Sequence, residues 1–232
     1  MRKHLVRRAA LALLLACTGS APAQPAPAVV RSVGDTVVFD GRIEPHSAAQ
    51  FLGLLRDPKI TRLVITSRGG IVSAALDMAL AIHERGLDLE VPTACLSSCA
   101  NYIFPAARRK LLGRPNAVAW HGNMVHVLYL QQSGQEHWDE RRIEDARQLA
   151  RREREFFRRI GVDGFVCWFG KLAPYSVDDF YYLSTQDLAR FGIRDVTVRE
   201  PSPGAPGDAE DVRKIRVDWP GLEAMRPAVQ LD

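Results

Sequence analysis

Two adjacent serines between two cysteines are the first residues of this sequence whose types suggest chemistry. They lie in the stretch CLSSCANYIFPAARRK, which runs from Cys95 to Lys110. A serine hydroxyl becomes a nucleophile when a neighbouring base takes its proton and hydrogen-bond donors stabilise the oxyanion that forms. A serine just before a helix can also be a simple N-cap. By itself the stretch therefore fits a capped turn as well as it fits an active site.

Two other short motifs supply the parts that a serine nucleophile needs. SRGG, from Ser67 to Gly70, lies between a predicted strand and a predicted helix, where backbone N–H groups free of side chains can approach a substrate carbonyl. WHG places His121, a candidate base, at the end of a later strand. Each motif alone has an ordinary explanation, a tight turn or a structural histidine. Their order and shared topology favour one common site.

The segments between these motifs alternate between strand and helix. Apolar and β-branched runs predict strands at DTVVFDGRI, ITRLVITS, LDLEVPTAC and PNAVAWHG. Helical spacing predicts helices over HSAAQFLGLLRD, from Ile71 to Arg85, and from the serine motif to about Ala107. Gly86 is suited to end the second of these helices. The alternation predicts an α/β fold with a mostly parallel sheet.

One long and highly charged helix is predicted from Glu136 to Ile160, ended by Gly161. Its apolar residues form a single stripe: Ile143, Ala146, Leu149, Ala150, Phe156, Phe157 and Ile160. The stripe either packs on the core of its own chain or faces a neighbouring subunit. A short helix ending near Gly192 follows. Residues 201–232 are rich in Pro, Gly, Asp and Glu, which predicts a flexible tail.

The N-terminus has the order of a secretory signal, with a basic start, an apolar core from Ala9 to Ala16 and small residues after it. The apolar run is too short to span a bilayer. An A-x-A site predicts a signal peptide over residues 1–23, whereas LLAC predicts a lipoprotein signal over residues 1–16, with Cys17 lipidated and attached to the membrane. Both interpretations predict export to a bacterial periplasm. A linker over residues 24–34 would then lead into one domain over residues 35–200.

Charge and cysteine content narrow the class of protein further. The formal net charge of +4 is accounted for by Arg2, Lys3, Arg7 and Arg8 in the signal, so it does not indicate a nucleic-acid partner.

The exported chain would keep Cys95, Cys99 and Cys167 in an oxidising compartment, where a disulfide is permitted and one thiol is left over. Cys95 and Cys99 span a strand-to-helix corner that brings their Cα atoms close enough for pairing, while pairings with Cys167 stay open. No metal site is predicted, because no second cysteine pair or histidine pair accompanies these residues.

Together these motifs resemble a known family. TVVFDGRIEPHSAAQFLGLL, VITSRGGIVSAALDMALAIHERG, VPTACLSSCANYIFPAARR and AVAWHG resemble the proteolytic subunit of the Clp protease (ClpP) and its crotonase-like superfamily, above all its exported bacterial members. The similarity covers residues 37–121 and the later stretch FYYLSTQDLARFGI. It implies a ClpP/crotonase-like spiral of β-β-α units, with a mostly parallel sheet and an outer handle helix between residues 122 and 178.

The resemblance also implies a nucleophile and its helpers. Counting back from PAA, which stands where the family has AAG, places the nucleophile at Ser98 and makes Ser97 the residue before it. His121 matches the family's base. The oxyanion donors would be the N–H groups of Gly69 or Gly70 and of Cys99; a Cys95–Cys99 disulfide would fix the corner that presents Ser98.

The third member of a catalytic triad departs from the family pattern. The position of the family's aspartate falls on Phe180. Asp179, or Asp178 as a substitute, would reach His121 only through a shift of one or two residues. Arg68 stands where the family prefers proline, which suggests an altered substrate groove.

The resemblance implies an exported serine hydrolase, a ClpP-like peptidase that cleaves short or unfolded peptides and needs no cofactor. The alternative is a catalytically inactive relative that keeps a peptide groove, as the missing acid suggests. Acyl-thioester chemistry, found in crotonase relatives, is disfavoured because its nucleotide-carrying cofactor is normally cytosolic. A homo-oligomer is expected, with the Glu136–Ile160 helix as a candidate interface. The Clp ATPase is cytosolic, so an exported relative must act without it.

Overall fold

The computed structural model of the protein describes residues 27–199 and 212–231. Both predicted signal sequences, including Cys17, lie outside the described residues. The strands are β1 (Val29–Val33), β2 (Thr36–Asp40), β3 (Arg62–Thr66), β4 (Asp88–Val91), β5 (Cys95–Leu96), β6 (Lys110–Leu112), β7 (Val118–Ala119), β8 (Phe180–Tyr182), β9 (Val196–Val198) and β10 (Val212–Lys214). The α-helices are α1 (Pro45–Leu54), α2 (Val72–Arg85), α3 (Phe104–Ala106), α4 (Met124–Gln132), α5 (Glu140–Ile160), α6 (Thr185–Arg190) and α7 (Trp219–Ala224). A π-helix, Cys99–Ile103, leads directly into α3, and 3-10 turns occupy Gly164–Cys167 and Phe169–Lys171.

The central sheet has six strands in the order β1-β2-β3-β4-β6-β9. β1 runs antiparallel to β2, whereas the pairs β2–β3, β3–β4, β4–β6 and β6–β9 are parallel. The predicted α/β class with a mostly parallel sheet is therefore confirmed. Side chains alternate along these strands, so that Leu63 and Ile65 are fully buried while Val64 between them is only partly covered. This alternation means that one face of the sheet carries most of the core.

A smaller set of strand pairings brings together SRGG, the serine pair and WHG. β5 pairs with β7, and a bridge between Ser67 and Cys95 connects β5 to the end of β3. An antiparallel bridge between Trp120 and Tyr181 then connects the end of β7 to β8. SRGG, the serine pair and WHG consequently lie around one corner of the molecule, as their order in the sequence suggested.

The long charged helix is α5, and it packs its apolar face on its own chain. Asp139 caps its first turn through Arg142 N, which explains why it begins four residues later than predicted, and Gly161 ends it with a φ of 67°. Its buried residues contact α4, α2 and the 3-10 turn after it. The stripe thus contributes to the core of the chain, and a subunit contact through the other faces stays a prediction.

Two segments differ from the sequence-based expectation. Val29–Val33, within the predicted linker, forms β1, because a tight turn at Gly34 (φ 61°) returns the chain to pair with β2.

The predicted flexible tail is packed over residues 212–231, where β10 pairs with β8 and Leu222 and Leu231 are buried. The sequence-based prediction missed this packing because the short apolar runs of the segment follow a stretch rich in Pro and Gly. Among the described residues, no helix combines the length and the apolar character needed to cross a membrane.

Candidate functional site

Ser97 lies at a sharp corner between β5 and the π-helix. Its φ is 56°, in the left-handed region that serine rarely adopts. Hydrogen bonds hold the strained backbone on both sides: Ser97 N donates to Ala119 O at 3.2 Å, and Asn101 N donates to Ser97 O at 2.8 Å. A strained residue of this kind persists where its surroundings fix it, and such residues cluster at functional sites.

His121 faces the hydroxyl of Ser97. Its Nε2 lies 2.7 Å from Ser97 Oγ, a hydrogen-bond distance. Trp120, the residue before His121, is fixed by two backbone hydrogen bonds to Tyr181. Trp120 N donates to Tyr181 O at 2.9 Å, and Tyr181 N donates to Trp120 O at 3.0 Å, so the end of β7 is firmly held. Partial desolvation of the imidazole by its neighbours, together with the Lys171 ammonium, lowers the pKa of His121, while the residue itself stays exposed to solvent. A neutral imidazole in this position can accept the proton of the serine.

Ser98, the predicted nucleophile, is not the serine that His121 contacts. It is 2% exposed, its Oγ accepts a hydrogen bond from Gly70 N at 2.7 Å, and its O–H donates to Gly70 O at 3.1 Å. Ser98 therefore connects the SRGG loop to the serine corner, and the structure brings Ser97 to the position where counting from PAA expected Ser98.

The one-residue offset has a local cause in the π-helix that follows. A π turn holds an extra residue compared with an α turn, and here Phe104 N donates to Cys99 O, five residues earlier. Pro105 has no N–H to donate, and its ring would clash with the carbonyl of Asn101, so α-helical bonding cannot continue through this segment. A count back from PAA along the sequence takes no account of an extra residue in the turn, so it ends one residue later than the serine that His121 contacts.

The predicted oxyanion donors are partly engaged within the protein. Gly69 N donates to Ser67 Oγ at 3.1 Å, and Gly70 N donates to the Ser98 hydroxyl. Gly69 has a φ of 90°, and a Cβ on it would lie 2.8 Å from Ser97 Cβ, so glycine is required for this close approach. Within the described part of the chain, no hydrogen bond uses the N–H of Ser98 or of Cys99. These two N–H groups are the available donors next to the serine hydroxyl.

An aromatic ring occupies the place where an acid was sought. Because Trp120 pairs with Tyr181 in antiparallel register, His121 lies opposite Phe180, and their ring centroids are 4.6 Å apart. Asp178 and Asp179 instead offer their backbone carbonyls to Lys171 Nζ, at 2.6 and 2.9 Å. No carboxylate among residues 27–199 and 212–231 accepts a hydrogen bond from His121. The expected triad with Asp179 or Asp178 is therefore not assembled.

The cysteines around the serine pair are bonded to each other. Cys95 and Cys99 form a disulfide with their Cα atoms 5.1 Å apart, and Cys167 is a buried free thiol whose pKa is raised by burial. The structure thus shows the pairing across the corner and neither of the pairings with Cys167 that the sequence left open. This disulfide connects β5, just before Ser97, to the first residue of the π-helix.

Sequence reasoning missed two groups close to this site. Lys171 is one, and its ammonium lies near both His121 and His126; with burial it lowers the pKa of His126 to about 4. The other is Glu153, fully buried on α5. A signal for Glu153 was present: it occupies the apolar stripe at helical spacing from Ala150 and Phe157, where a carboxylate is out of place.

Other features of the described residues do not point to a different site. A surface groove of about 460 Å³ lies along the sheet beside Asp88, Lys110 and Asp195, and it includes neither Ser97 nor His121. No cluster of three His, Cys, Asp or Glu side chains able to hold a metal occurs in the part of the chain that the structure describes.

Comparison with known proteins gives little further information. No family model matches the chain, and no curated protein is significantly similar to it in sequence. Among solved structures it is weakly similar to a methylmalonyl-CoA decarboxylase, with a TM-score of 0.28 and 10% identity. The similarity covers 37% of this chain and 44% of that enzyme, so less than half of the enzyme's length is spanned. A likeness of this size supports no conclusion about activity.

Proposed function

We propose that this protein is a serine hydrolase in which Ser97 is the nucleophile and His121 the general base. The observation that carries the proposal is the 2.7 Å distance between Ser97 Oγ and His121 Nε2. The imidazole would take the hydroxyl proton as Ser97 attacks a carbonyl carbon, and would return it to the leaving group. The N–H of the residue after the nucleophile would stabilise the oxyanion. With Ser97 as nucleophile this residue is Ser98, whereas the sequence, with Ser98 as nucleophile, predicted Cys99.

The substrate class follows from the resemblance described above. We propose a peptidase for short or unfolded peptides, in a ClpP/crotonase-like spiral of β-β-α units that forms a homo-oligomer. The small β5–β7 sheet set against the main sheet, and α5 as a handle, support this assignment. The Cys95–Cys99 disulfide supports export, because disulfides persist in oxidising compartments such as the periplasm.

A dyad without an orienting acid is expected to be slow. In triad enzymes the acid holds the imidazole in the correct tautomer, and its loss lowers the rate by orders of magnitude without abolishing catalysis. Here the Phe180 ring packs on the imidazole, with the ring centroids 4.6 Å apart, and the lowered pKa of His121 keeps the imidazole neutral. Both features suit a base that starts in its unprotonated form.

Covalent labelling of the purified mature protein tests the proposal. A fluorophosphonate probe should label the wild type, and mass spectrometry should find the adduct on Ser97. Ser97→Ala should remove the labelling, whereas Ser98→Ala, the matched variant next to it, should still be labelled on Ser97, at a lower rate. An unlabelled wild type, an adduct on Ser98, or equal labelling of Ser97→Ala would overturn the assignment.

A second candidate, a catalytically inactive peptide-binding protein, is favoured by one specific observation. Phe180 and Lys171 surround the side of His121 where hydrolases of this type carry a carboxylate. This candidate predicts no probe labelling and no turnover of a quenched peptide library. It also predicts that Ser97→Ala and His121→Ala bind those peptides as tightly as the wild type does.

A further inference from the structure

Glu153 is a fully buried carboxylate that three donors from two other elements approach. It lies on α5 with 0% of its surface exposed. The Tyr102 hydroxyl donates to Oε1, Met124 N donates to Oε1 at 3.1 Å, and Val125 N approaches Oε2 at 3.4 Å. Burying a carboxylate is costly, so a site that provides it with three donors is a built feature.

Both partner segments lead directly to the proposed catalytic pair. Tyr102 belongs to the π-helix that begins after the serine corner, and Met124 opens α4, three residues after His121. A second connection between the same segments is the hydrogen bond from Asn101 Nδ2 to Gly122 O at 2.8 Å. Glu153 therefore joins the helix that follows Ser97 to the helix that follows His121.

We propose that Glu153 is a positioning residue that holds His121 against Ser97 through Tyr102 and the first turn of α4, and that it does so when its carboxyl group is ionised. The effect on catalysis rests on the function proposed above, whereas the effect on the position of the His121 ring does not.

The three partners explain why the charge state matters. An ionised carboxylate is a pure acceptor, which matches one hydroxyl and two backbone donors at the positive end of a helix. A protonated carboxyl carries an O–H that neither backbone N–H can accept. The Tyr102 oxygen could accept it only if the Tyr102 O–H no longer donated to the carboxyl, so one donor would lose its acceptor. The first turn of α4, and with it the segment from His121 to Asn123, would be held less tightly.

The surroundings leave Glu153 as the group that changes charge near neutral pH. Burial raises its pKa to about 7, against the opposing effect of its hydrogen bonds. The titratable groups that face it are Tyr102, from the π-helix, and Cys167, from the 3-10 turn, and burial raises the pKa of both, so they stay neutral. α4 directs only backbone N–H groups at it.

The carboxylates of the neighbouring helix α2 are paired away from Glu153. Asp77 and Glu84 of α2 pair with Arg152 and Arg159 on the exposed side of α5. No Lys, Arg or His of the described residues forms an ion pair with Glu153. Its titration is consequently not obscured by a partner of opposite charge.

The pH dependence of two measurements tests the proposal. The first is the rate of fluorophosphonate labelling of Ser97 between about pH 5 and 9, and the second is the NMR shift of the His121 ring over the same range. Because the pKa of His121 is lowered, the titration of His121 itself lies at more acidic pH than that of an ordinary histidine. Both measurements should also show a second, upper inflection near pH 7, which reports the titration of Glu153. Labelling should be faster above this pH.

Glu153→Gln is the central variant, and Glu155→Gln is its matched control. Glu155 lies on the same helix, is exposed, and pairs with Arg158. Glu153→Gln should lose the upper inflection in both measurements and label about tenfold more slowly at pH 8, the cost of a hydrogen bond to a charged group. Glu155→Gln should keep the wild-type profile. An upper inflection retained in Glu153→Gln, or absent from the wild-type His121 ring, would overturn the proposal.

A further variant keeps the test decisive if Glu153→Gln does not fold. The Tyr102 hydrogen bond lowers the pKa of Glu153, so Tyr102→Phe should move the upper inflection to higher pH. An unmoved inflection would contradict the assignment to Glu153. If the wild type shows the His121 inflection but no labelling, the hydrolase function fails while the positioning role stands.

Discussion

The two sides of His121 are built in different ways. On the Nε2 side, the imidazole lies at hydrogen-bond distance from a strained serine, and a disulfide and a glycine loop flank that serine. On the other side lie an aromatic ring and an ammonium group, with no carboxylate hydrogen-bonded to the imidazole among the described residues. The first side is suited to removing a proton from Ser97, whereas the second gives no help to the imidazolium that results. The comparison suggests a pair that depends on a neutral base and on fixed geometry.

Replacing His121 should have the largest effect, because it removes the base from the well-built side. In His121→Gln, the rate of Ser97 labelling and of peptide turnover should fall by about a thousandfold or more, since the amide cannot accept the hydroxyl proton. His126→Gln is the control, because His126 is the neighbouring imidazole, stacked on Trp168 at 5.6 Å between ring centroids. Equal losses in the two variants would mean that His121 is not the specific base.

Introducing an acid on the poorly built side should have a smaller effect of opposite sign. Phe180→Asp would place a carboxylate opposite His121, where it can orient the imidazole and stabilise its protonated form, so turnover should rise by about tenfold. Phe180→Asn has nearly the same shape without the charge and separates electrostatics from the loss of the ring. A gain in the Asn variant equal to that in the Asp variant would show that relief of crowding, not charge, is responsible.

The same comparison shows what the sequence could predict. The elements from β2 to β4 were predicted well, because glycines mark where β3 and α2 end, at Gly69 and Gly86. β6 of the central sheet was missed, since its three residues are too few to form a recognisable pattern. The serine that His121 contacts is Ser97 and not the predicted Ser98, since a count back from PAA does not reveal a π turn. Pro105 was the available signal, because proline cannot continue α-helical bonding.

Long-range contacts decide the features that sequence reasoning missed. Glu153 meets Tyr102 and Met124 across long stretches of chain, and only the folded structure brings these groups together. Likewise, the segment at Ile215 is buried because Ile215 N donates to Tyr182 O at 3.0 Å, a contact that composition cannot indicate. The register of Trp120 with Tyr181 places Phe180 opposite His121, which explains why Asp179 does not reach the imidazole.

Removing the ammonium group should have the smallest effect, a shift of the pH profile without a large change in maximal rate. Lys171 lowers the pKa of His121, so in Lys171→Met that pKa should rise and the acid limb of the labelling profile should move to higher pH. Activity would then be lost at pH values where the wild type is still active. Lys59→Met, an exposed lysine in a distant turn, should leave the limb in place.

The hydrogen bonds of Lys171 require one more variant to interpret that shift. Its Nζ also donates to Val177 O, Asp178 O and Asp179 O, at 3.0, 2.6 and 2.9 Å, so Lys171→Met loosens a loop as well as removing a charge. Lys171→Arg keeps the charge and should keep the acid limb at the wild-type position, even if the loop is disturbed. If the limb moves equally in Lys171→Arg and Lys171→Met, the loop sets the basicity of His121 and the electrostatic explanation is wrong.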